Sequence, residues 1–158
     1  MSAIKIRRAR RRDAEAIAHL AGILGRWILK EDSRTTAEDI RNHAFGPRRW
    51  CDILVACDEG RVVGYALYRC FFEGFTGHRR MFLSDLAVAP DARRGGIGEA
   101  LMRDLARRSL ALGCDALTWE CSDDNASAMR FYAKHNAERI DAVVTLCLDR
   151  DRIESLAG

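Results

Sequence analysis

Residues 86–101 read Leu-Ala-Val-Ala-Pro-Asp-Ala-Arg-Arg-Gly-Gly-Ile-Gly-Glu-Ala-Leu, a run whose residue types suit pyrophosphate binding. An apolar stretch stops at Pro90, Arg93 and Arg94 bring guanidinium groups, and an amphipathic helix begins at Ile97. Gly95, Gly96 and Gly98 leave the intervening backbone N–H groups bare. Such amides at a helix N-terminus attract anions through their partial positive charge, and flanking arginines add full charges. Two nucleotide motifs fail when tested here. A dinucleotide fingerprint needs GxGxxG, and Gly96-Ile97-Gly98-Glu99-Ala100-Leu101 lacks the third glycine. A P-loop needs Gly-Lys-Ser/Thr at its end, and none is present. What remains is Arg-x-x-Gly-x-Gly, met by Arg93, Gly96 and Gly98. A plain glycine turn flanked by solvated arginines satisfies that pattern too, so its context matters.

The elements around the loop supply that context. Ile4 to Ala9 reads as a strand, and residues 13–29 as a helix with an apolar stripe of Ile17, Leu20, Ile23, Leu24 and Ile28. Thr35-Thr36-Ala37-Glu38 has the capping-box pattern and predicts a second helix to about Phe45, with Pro47 closing the region. Ile53 to Cys57 and Arg61 to Cys70 read as strands joined by the Asp58-Glu59-Gly60 turn, and Met81 to Ala89 as a further strand. The helix after the glycine loop spans 97–112, with Ile97, Leu101, Leu105 and Leu112 on one face, Arg103 and Arg107 away from it, and Gly113 as its stop. Ala116 to Cys121 is another strand, 122–125 a polar turn, 126–135 a helix and Val143 to Leu148 a C-terminal strand. Hairpin-joined strands followed by strands alternating with helices predict a mixed α/β sheet.

Composition narrows the function classes. The 158 residues read as one domain, 1–158, at 48% hydrophobic and 31% charged. No apolar run approaches the roughly 20 residues of a membrane span, and the N-terminus has no secretory h-region. The six cysteines (Cys51, Cys57, Cys70, Cys114, Cys121, Cys147) form no CxxC and have no histidine at zinc spacing. Cys57, Cys121 and Cys147 lie in apolar runs as small hydrophobes, so a reduced cytoplasmic protein without a metal is expected. Lys5, Arg7, Arg8, Arg10, Arg11 and Arg12 crowd the N-terminus within a net charge of +3. Ile4 and Ile6 alternate with these charges as one face of a strand, and no aromatics interleave to stack bases, which speaks against nucleic acid.

The glycine loop gains meaning from a second stretch, Asn125-Ala126-Ser127-Ala128-Met129-Arg130-Phe131-Tyr132. Strand, Arg-x-x-Gly-x-Gly loop, helix, strand, then Asn-x-x-Ala-x-x-Phe-Tyr resembles the GNAT superfamily of acyl-coenzyme A N-acyltransferases over nearly the whole chain. The early Ile-Arg-x-Ala strand and the Arg-Val-Val-Gly-Tyr-Ala strand fit the same pattern. Within it the chain is most similar to the diamine (spermidine/spermine-type) acetyltransferases, through Phe45-Gly46-Pro47, Leu67 to Phe72, Phe82-Leu83-Ser84-Asp85 and Asn125 to Tyr132.

The resemblance implies a GNAT fold: a mixed, mostly antiparallel sheet with one splayed pair of parallel strands, flanked by helices. Acetyl-coenzyme A would lie between strands 82–89 and 116–121, its pantetheine pairing with the backbone of Leu86, Ala87 and Val88. Its pyrophosphate would sit on amides from Arg94, Gly95, Gly96, Ile97, Gly98 and Glu99, with charge from Arg93 or Arg94. Asn125, Ser127, Ala128 and Tyr132 would complete the donor site. A homodimer is also implied.

An amine then attacks the thioester carbonyl, which an N–H near Val88 would polarise. Tyr132 would protonate the leaving thiolate, although a Phe-Tyr pair on an amphipathic helix is ordinarily just packed. An alkylamine of pKa about 10.4 costs about 4.6 kcal/mol to deprotonate at pH 7, so a base or water chain is needed. Diamine acetyltransferases have Glu where this chain has Ser84, which cannot serve as that base. Asp85, Glu120 and a water relay are the alternatives, and a solvent-facing Glu120 is an equal reading. Trp27, Glu31, Ser84, Asp85, Trp119 and Glu120 are the expected acceptor-side residues, with Asp32, Glu73, Trp50 and Phe72 as further candidates. Their acidity suits a primary amine of the polyamine or lysine-like kind. Peptide or protein N-acetylation, and coenzyme A binding without transfer, are the rival functions.

Overall fold

The computed structural model describes residues 4–158. It forms two compact units, Met1–Glu120 and Cys121–Gly158. The first contains a five-stranded sheet of β1 (Lys5–Arg8), β2 (Asp52–Asp58), β3 (Arg61–Glu73), β4 (His78–Val88) and β5 (Ala116–Trp119), in that spatial order. Its helices are α1 (Ala14–Leu29), α2 (Ala37–Phe45) and α3 (Ile97–Ala111). Neighbours pair antiparallel except β4 and β5, which are parallel because α3 carries the chain back between them.

Period-two alternation gives the sheet two apolar faces. Ile53, Val55, Cys57, Tyr65, Ala87 and Ala89 join the apolar stripe of α1 (Ala14, Ile17, Leu20, Ala21) and Ile40 and Ala44 of α2 in one core. The opposite face receives α3 through buried Ile97, Leu101 and Leu105. Gly64 fixes how closely α3 settles. A Cβ there would stand 3.2 Å from Ile97 Cγ2, 3.4 Å from Leu101 Cδ1 and 3.0 Å from the Ala87 carbonyl oxygen. Gly64 lies opposite Val88, so its missing side chain lets the start of α3 drop onto the sheet where β4 ends.

Several local expectations shift. The second helix is capped by Thr36 with Asp39, one residue later than the Thr35–Glu38 pattern. Thr36 Oγ1 accepts from the Asp39 N–H at 3.1 Å, and Asp39 Oδ2 accepts from the Thr36 N–H at 2.9 Å. β3 runs on to Glu73 and β4 starts at His78, forming a hairpin longer than the apolar runs suggested. Leu112, expected on the buried face of the third helix, is 49% exposed beyond its end. The N-terminal arginine cluster supports structure: Arg7 clasps buried Asp13 with two hydrogen bonds of 2.7 and 2.9 Å.

The second unit holds α4 (Ala126–Ala133) and α5 (Arg150–Ala157), the latter unforeseen in the sequence and capped by Asp149. The expected strand over 143–148 is absent from the described residues. Val143, Val144 and Leu146 are exposed, and Cys147, expected inside that strand, is exposed too. A run of apolar and β-branched residues makes a strand only where a ladder neighbour supplies the partner groups, and no ladder among the described residues includes this segment.

Candidate functional site

β4 creates the site by outlasting its neighbour. The parallel ladder covers Arg80 to Leu83 against Ala116 to Trp119 and stops there, while β4 continues to Val88. β5 therefore ends two residues before the expected Cys121, and the splay opens after Leu83. The Ala89 N–H donates to Val63 at 2.8 Å, so by antiparallel alternation Ala87 also faces β3. Leu86 and Val88 then turn their N–H and C=O groups to the edge that β5 has left. Leu86 through both groups and Val88 through its N–H are placed to pair with an added extended ligand, whereas the Ala87 backbone is spent on the ladder.

Beyond Pro90–Ala92 the chain makes the tight loop into α3. Arg94 (φ 68°) and Gly96 (φ 73°) are both left-handed, and between them they turn successive amides toward one side. A left-handed arginine costs roughly 1 kcal/mol, which the turn imposes. Gly96 is the N-cap of α3 and brings no capping side chain, so the first helical N–H groups have no side-chain acceptor. A Cβ built on Gly96 would point into open space, with nothing within 4 Å. This is an anion cradle whose open side a side chain would fill, and it fits a pyrophosphate. The Arg93 guanidinium folds back to donate to the Val88 carbonyl at 3.2 Å, tying loop to strand. A groove of about 490 Å³ lies between β1 and α3, lined by Ile4, Ile6, Gly96 and Arg107 among others.

Asp85 lies within the splayed stretch of β4, opposite Leu67 of β3. Its Oδ2 accepts a 2.8 Å hydrogen bond from the Tyr65 hydroxyl, and Tyr65 is fully buried. Burial raises the Asp85 carboxyl above the usual carboxylate range, and the Tyr65 bond pulls it partly back. The Tyr65 phenol is driven upward by burial and then by Asp85, so it remains a neutral donor. Cys51 completes the cluster, its thiol raised by burial and by Asp52 and Asp85. The sequence reading overlooked Tyr65. Its signal was a phenol at a core-facing strand position, where a buried hydroxyl needs a partner.

The other acceptor-side residues are more dispersed. Ser84 is exposed beside Asp85, and Trp119 is half-buried at the end of β5 with Glu120 exposed after it. Trp27 is 45% exposed near the end of α1. Glu31 and Asp32 are exposed in the link to α2, Asp32 pairing with Arg26 at 2.9 Å. Glu73 sits at the opposite end of β4 from Val88, locked to Arg80 at 2.9 Å and to Thr76. Trp50 and Phe72 are 61% and 67% exposed.

In the second unit, Asn125 caps α4 by accepting from the Ala128 N–H at 3.0 Å. Ser127 is exposed and Ala128 half-buried in the first turn. Phe131 stacks edge-on against Tyr132 at 5.2 Å between ring centres. The Tyr132 phenol is pushed up to about 12, first by burial and then by Cys121. Among the described residues no helix is long and apolar enough to cross a membrane. No cluster of three His, Cys, Asp or Glu among them could hold a metal.

Residues 13–137 match the model of the acetyltransferase (GNAT) family. The chain is 31% identical over 147 residues to the thialysine N-epsilon-acetyltransferase of Bos taurus, covering 87% of this chain and 86% of that protein. The Mus musculus counterpart is 29% identical over 141 residues, covering 84% and 82%. An L-ornithine N5-acetyltransferase of Arabidopsis thaliana is 26% identical over 101 residues, 64% of this chain and 41% of that one. Among solved structures, an integron cassette protein from the mobile metagenome of V. cholerae superposes with a TM-score of 0.83 at 24% identity, covering 99% and 98%. That likeness is one of fold.

Proposed function

We propose that this chain, which belongs to the acetyltransferase (GNAT) family, acetylates a small primary amine of the polyamine or lysine-like class. As a GNAT N-acetyltransferase it uses acetyl-coenzyme A as co-substrate. The observation that carries the acceptor reading is Asp85, a carboxyl of raised proton affinity in the splayed stretch of β4. Relatives named for thialysine and ornithine, both amino acids with a side-chain amine, support the same class.

Each step has a residue suited to it. Amides from Arg94 to Glu99 take the pyrophosphate, and the β4 edge at Leu86 takes the pantetheine. The Val88 N–H polarises the thioester carbonyl as negative charge develops on its oxygen. Asp85 takes the proton of the incoming ammonium, directly or through water, and its raised affinity reduces the cost of that transfer. Its carboxylate also attracts the cation electrostatically. Glu120, at the end of β5, is assigned to acceptor binding along with Trp27, Glu31, Ser84 and Trp119.

Tyr132 donates toward the leaving sulfur. A phenol near 12 is protonated throughout the neutral range, so the donor hydrogen is always present. Complete transfer to a thiolate of pKa about 8.5 would run uphill by an energy on the order of 5 kcal/mol. Tyr132 is therefore a hydrogen-bond donor to the developing thiolate, with the proton's final delivery left to solvent.

The test is release of coenzyme A thiol across thialysine, lysine, ornithine, spermidine, an aminoglycoside and N-terminal peptides, with Tyr132→Phe alongside. The small-amine reading expects the highest kcat/KM on the first four. A preference for peptides or the aminoglycoside overturns it. Tyr132→Phe is expected to lower kcat by about 100-fold with the KM for acetyl-coenzyme A nearly unchanged, and unaltered kcat removes Tyr132 from the reaction.

A further inference from the structure

We infer that Arg69 sets the acceptor specificity: it pairs with the carboxylate of an α-amino acid whose side-chain amine is presented to Asp85. This role rests on the small-amine reading and narrows it from polyamines and amino acids to amino acids alone. The register of β3 and β4 makes the two residues neighbours. Leu67 lies opposite Asp85, Tyr68 opposite Leu83 and Arg69 opposite Phe82, so Ser84 is the extra residue of a bulge. In a regular strand Phe82 and Asp85, three residues apart, would point to opposite faces of the sheet. The bulge puts them on the same one. Tyr68 and Leu83 are buried on the other face. The shared face is marked by Leu67 against the α1 core, by the Tyr65–Asp85 bond, and by the Arg69 guanidinium over the Phe82 ring, 5.3 Å from its centre.

Arg69 has no anionic partner of its own. Asp52, the first residue of β2, lies opposite Tyr68, so among the described residues β3 beyond that point has a ladder neighbour only on the β4 side. The next cation along the same face is Arg80, opposite Phe71, and Glu73 holds it at 2.9 Å. Arg69 is exposed, and among the described residues its guanidinium meets the Phe82 ring and no carboxylate. A ring contact leaves the guanidinium's N–H fork available for two-pronged pairing with a carboxylate. The spacing also fits. Leu67 to Arg69 is a two-residue step along a strand, about 7 Å. In extended ornithine or lysine the side-chain nitrogen lies five or six bonds from the carboxyl carbon, about 6–7 Å at roughly 1.2 Å per bond. Such a molecule can give its amine to Asp85 and its carboxylate to Arg69 at once. A diamine of the same length instead brings a second ammonium to the guanidinium, and like charges repel.

The test compares lysine with 1,5-diaminopentane and ornithine with 1,4-diaminobutane, pairs that differ only by the carboxylate. Release of coenzyme A thiol is followed with the full chain and with its Arg69→Gln and Arg69→Lys variants. The wild type is expected to favour the amino acid of each pair by about 30-fold in kcat/KM. Arg69→Gln should bring that ratio near one, through a higher KM for the amino acid and a lower KM for the diamine. Its Tm and its KM for acetyl-coenzyme A should stay unchanged. Arg69→Lys should keep part of the preference, because it retains the charge without the fork. Turnover of both members without discrimination by the wild type overturns the role of Arg69 and leaves the small-amine reading standing. So does a preference that survives in Arg69→Gln, or an equal loss on both members, which marks a structural role. No turnover of any of the four amines overturns the small-amine reading, and the role of Arg69 with it.

Discussion

Two carboxylates flank the same core, Asp13 before α1 and Asp85 on β4, and they are treated in opposite ways. Asp13 is 6% exposed and receives a bidentate clasp from Arg7 together with the Arg10 N–H at 2.7 Å. These donors hold its carboxyl below the usual range despite the burial, which favours its charged form. Among the described residues Asp85 is given one neutral donor, Tyr65, and no cation, so burial wins and its proton affinity rises. A fully compensated buried charge fixes structure and exchanges no proton. An under-compensated one is held nearer the pH at which a proton can be taken and returned. The contrast separates an acid that builds the fold from an acid available for chemistry.

Removing the chemistry on one side should give the largest effect. Asp85→Asn keeps the shape and the Tyr65 contact but abolishes the base, and kcat/KM for the amine is expected to fall about 100- to 1,000-fold. Thermal stability should hold or improve, because a carboxylate without a cation is replaced by a neutral amide. The wild-type acid limb, along which activity rises as Asp85 loses its proton, should disappear from the pH–rate profile. Full activity in Asp85→Asn would shift the base to Glu120 or a water relay and break the contrast.

The matching change on the other side is Arg7→Met, which leaves Asp13 buried with only a backbone donor. A stability loss of about 3 kcal/mol is expected in denaturant unfolding, with kcat retained under native conditions. The pH dependence supplies the sign. Asp13 is lowered in the folded state, so its contribution is present above the unfolded pKa of about 4 and is lost as pH falls through the folded value. Arg7→Met should therefore flatten the acid side of the wild-type stability curve. Asp85 is raised, so it favours the fold at low pH and takes that contribution away as pH rises through its folded value.

How much of this the sequence disclosed follows from the range of the interactions. The glycine loop is legible because its demands are local: left-handed turns, bare amides and a helix start all fall within residues 93 to 99. The paired strands and α1 are legible from periodicity for the same reason. Tyr65–Asp85 joins positions 20 residues apart through a β3–β4 register that shifts at Leu67/Tyr68, and no local pattern encodes that shift. Arg7–Asp13 was hidden inside a charge cluster whose exposed members, Arg10, Arg11 and Arg12, look the same in a string of letters. The 143–148 segment failed in the opposite direction: its apolar and β-branched residues suit a strand, but a strand needs a neighbour, and a neighbour is not a local property. Glu73 counted as acidic near the acceptor only until the long hairpin carried it to the far end of β4.

The smallest effect tests how finely Asp85 is set. Tyr65→Phe removes one hydroxyl and nothing else from a fully buried ring. The lost bond favours the ionised carboxyl, so without it Asp85 should hold its proton to higher pH. The acid limb of the amine pH–rate profile is expected to move to higher pH, while kcat on the alkaline plateau changes less than about threefold. Stability should fall by about 1 kcal/mol where Asp85 is ionised, because its buried oxygen loses its donor, and by less where Asp85 is protonated. A merely structural hydroxyl would lower stability at every pH and leave the limb in place. Movement of the limb without loss of the plateau would show that Tyr65 tunes Asp85 in a way that Arg7, by clamping Asp13 charged, never can.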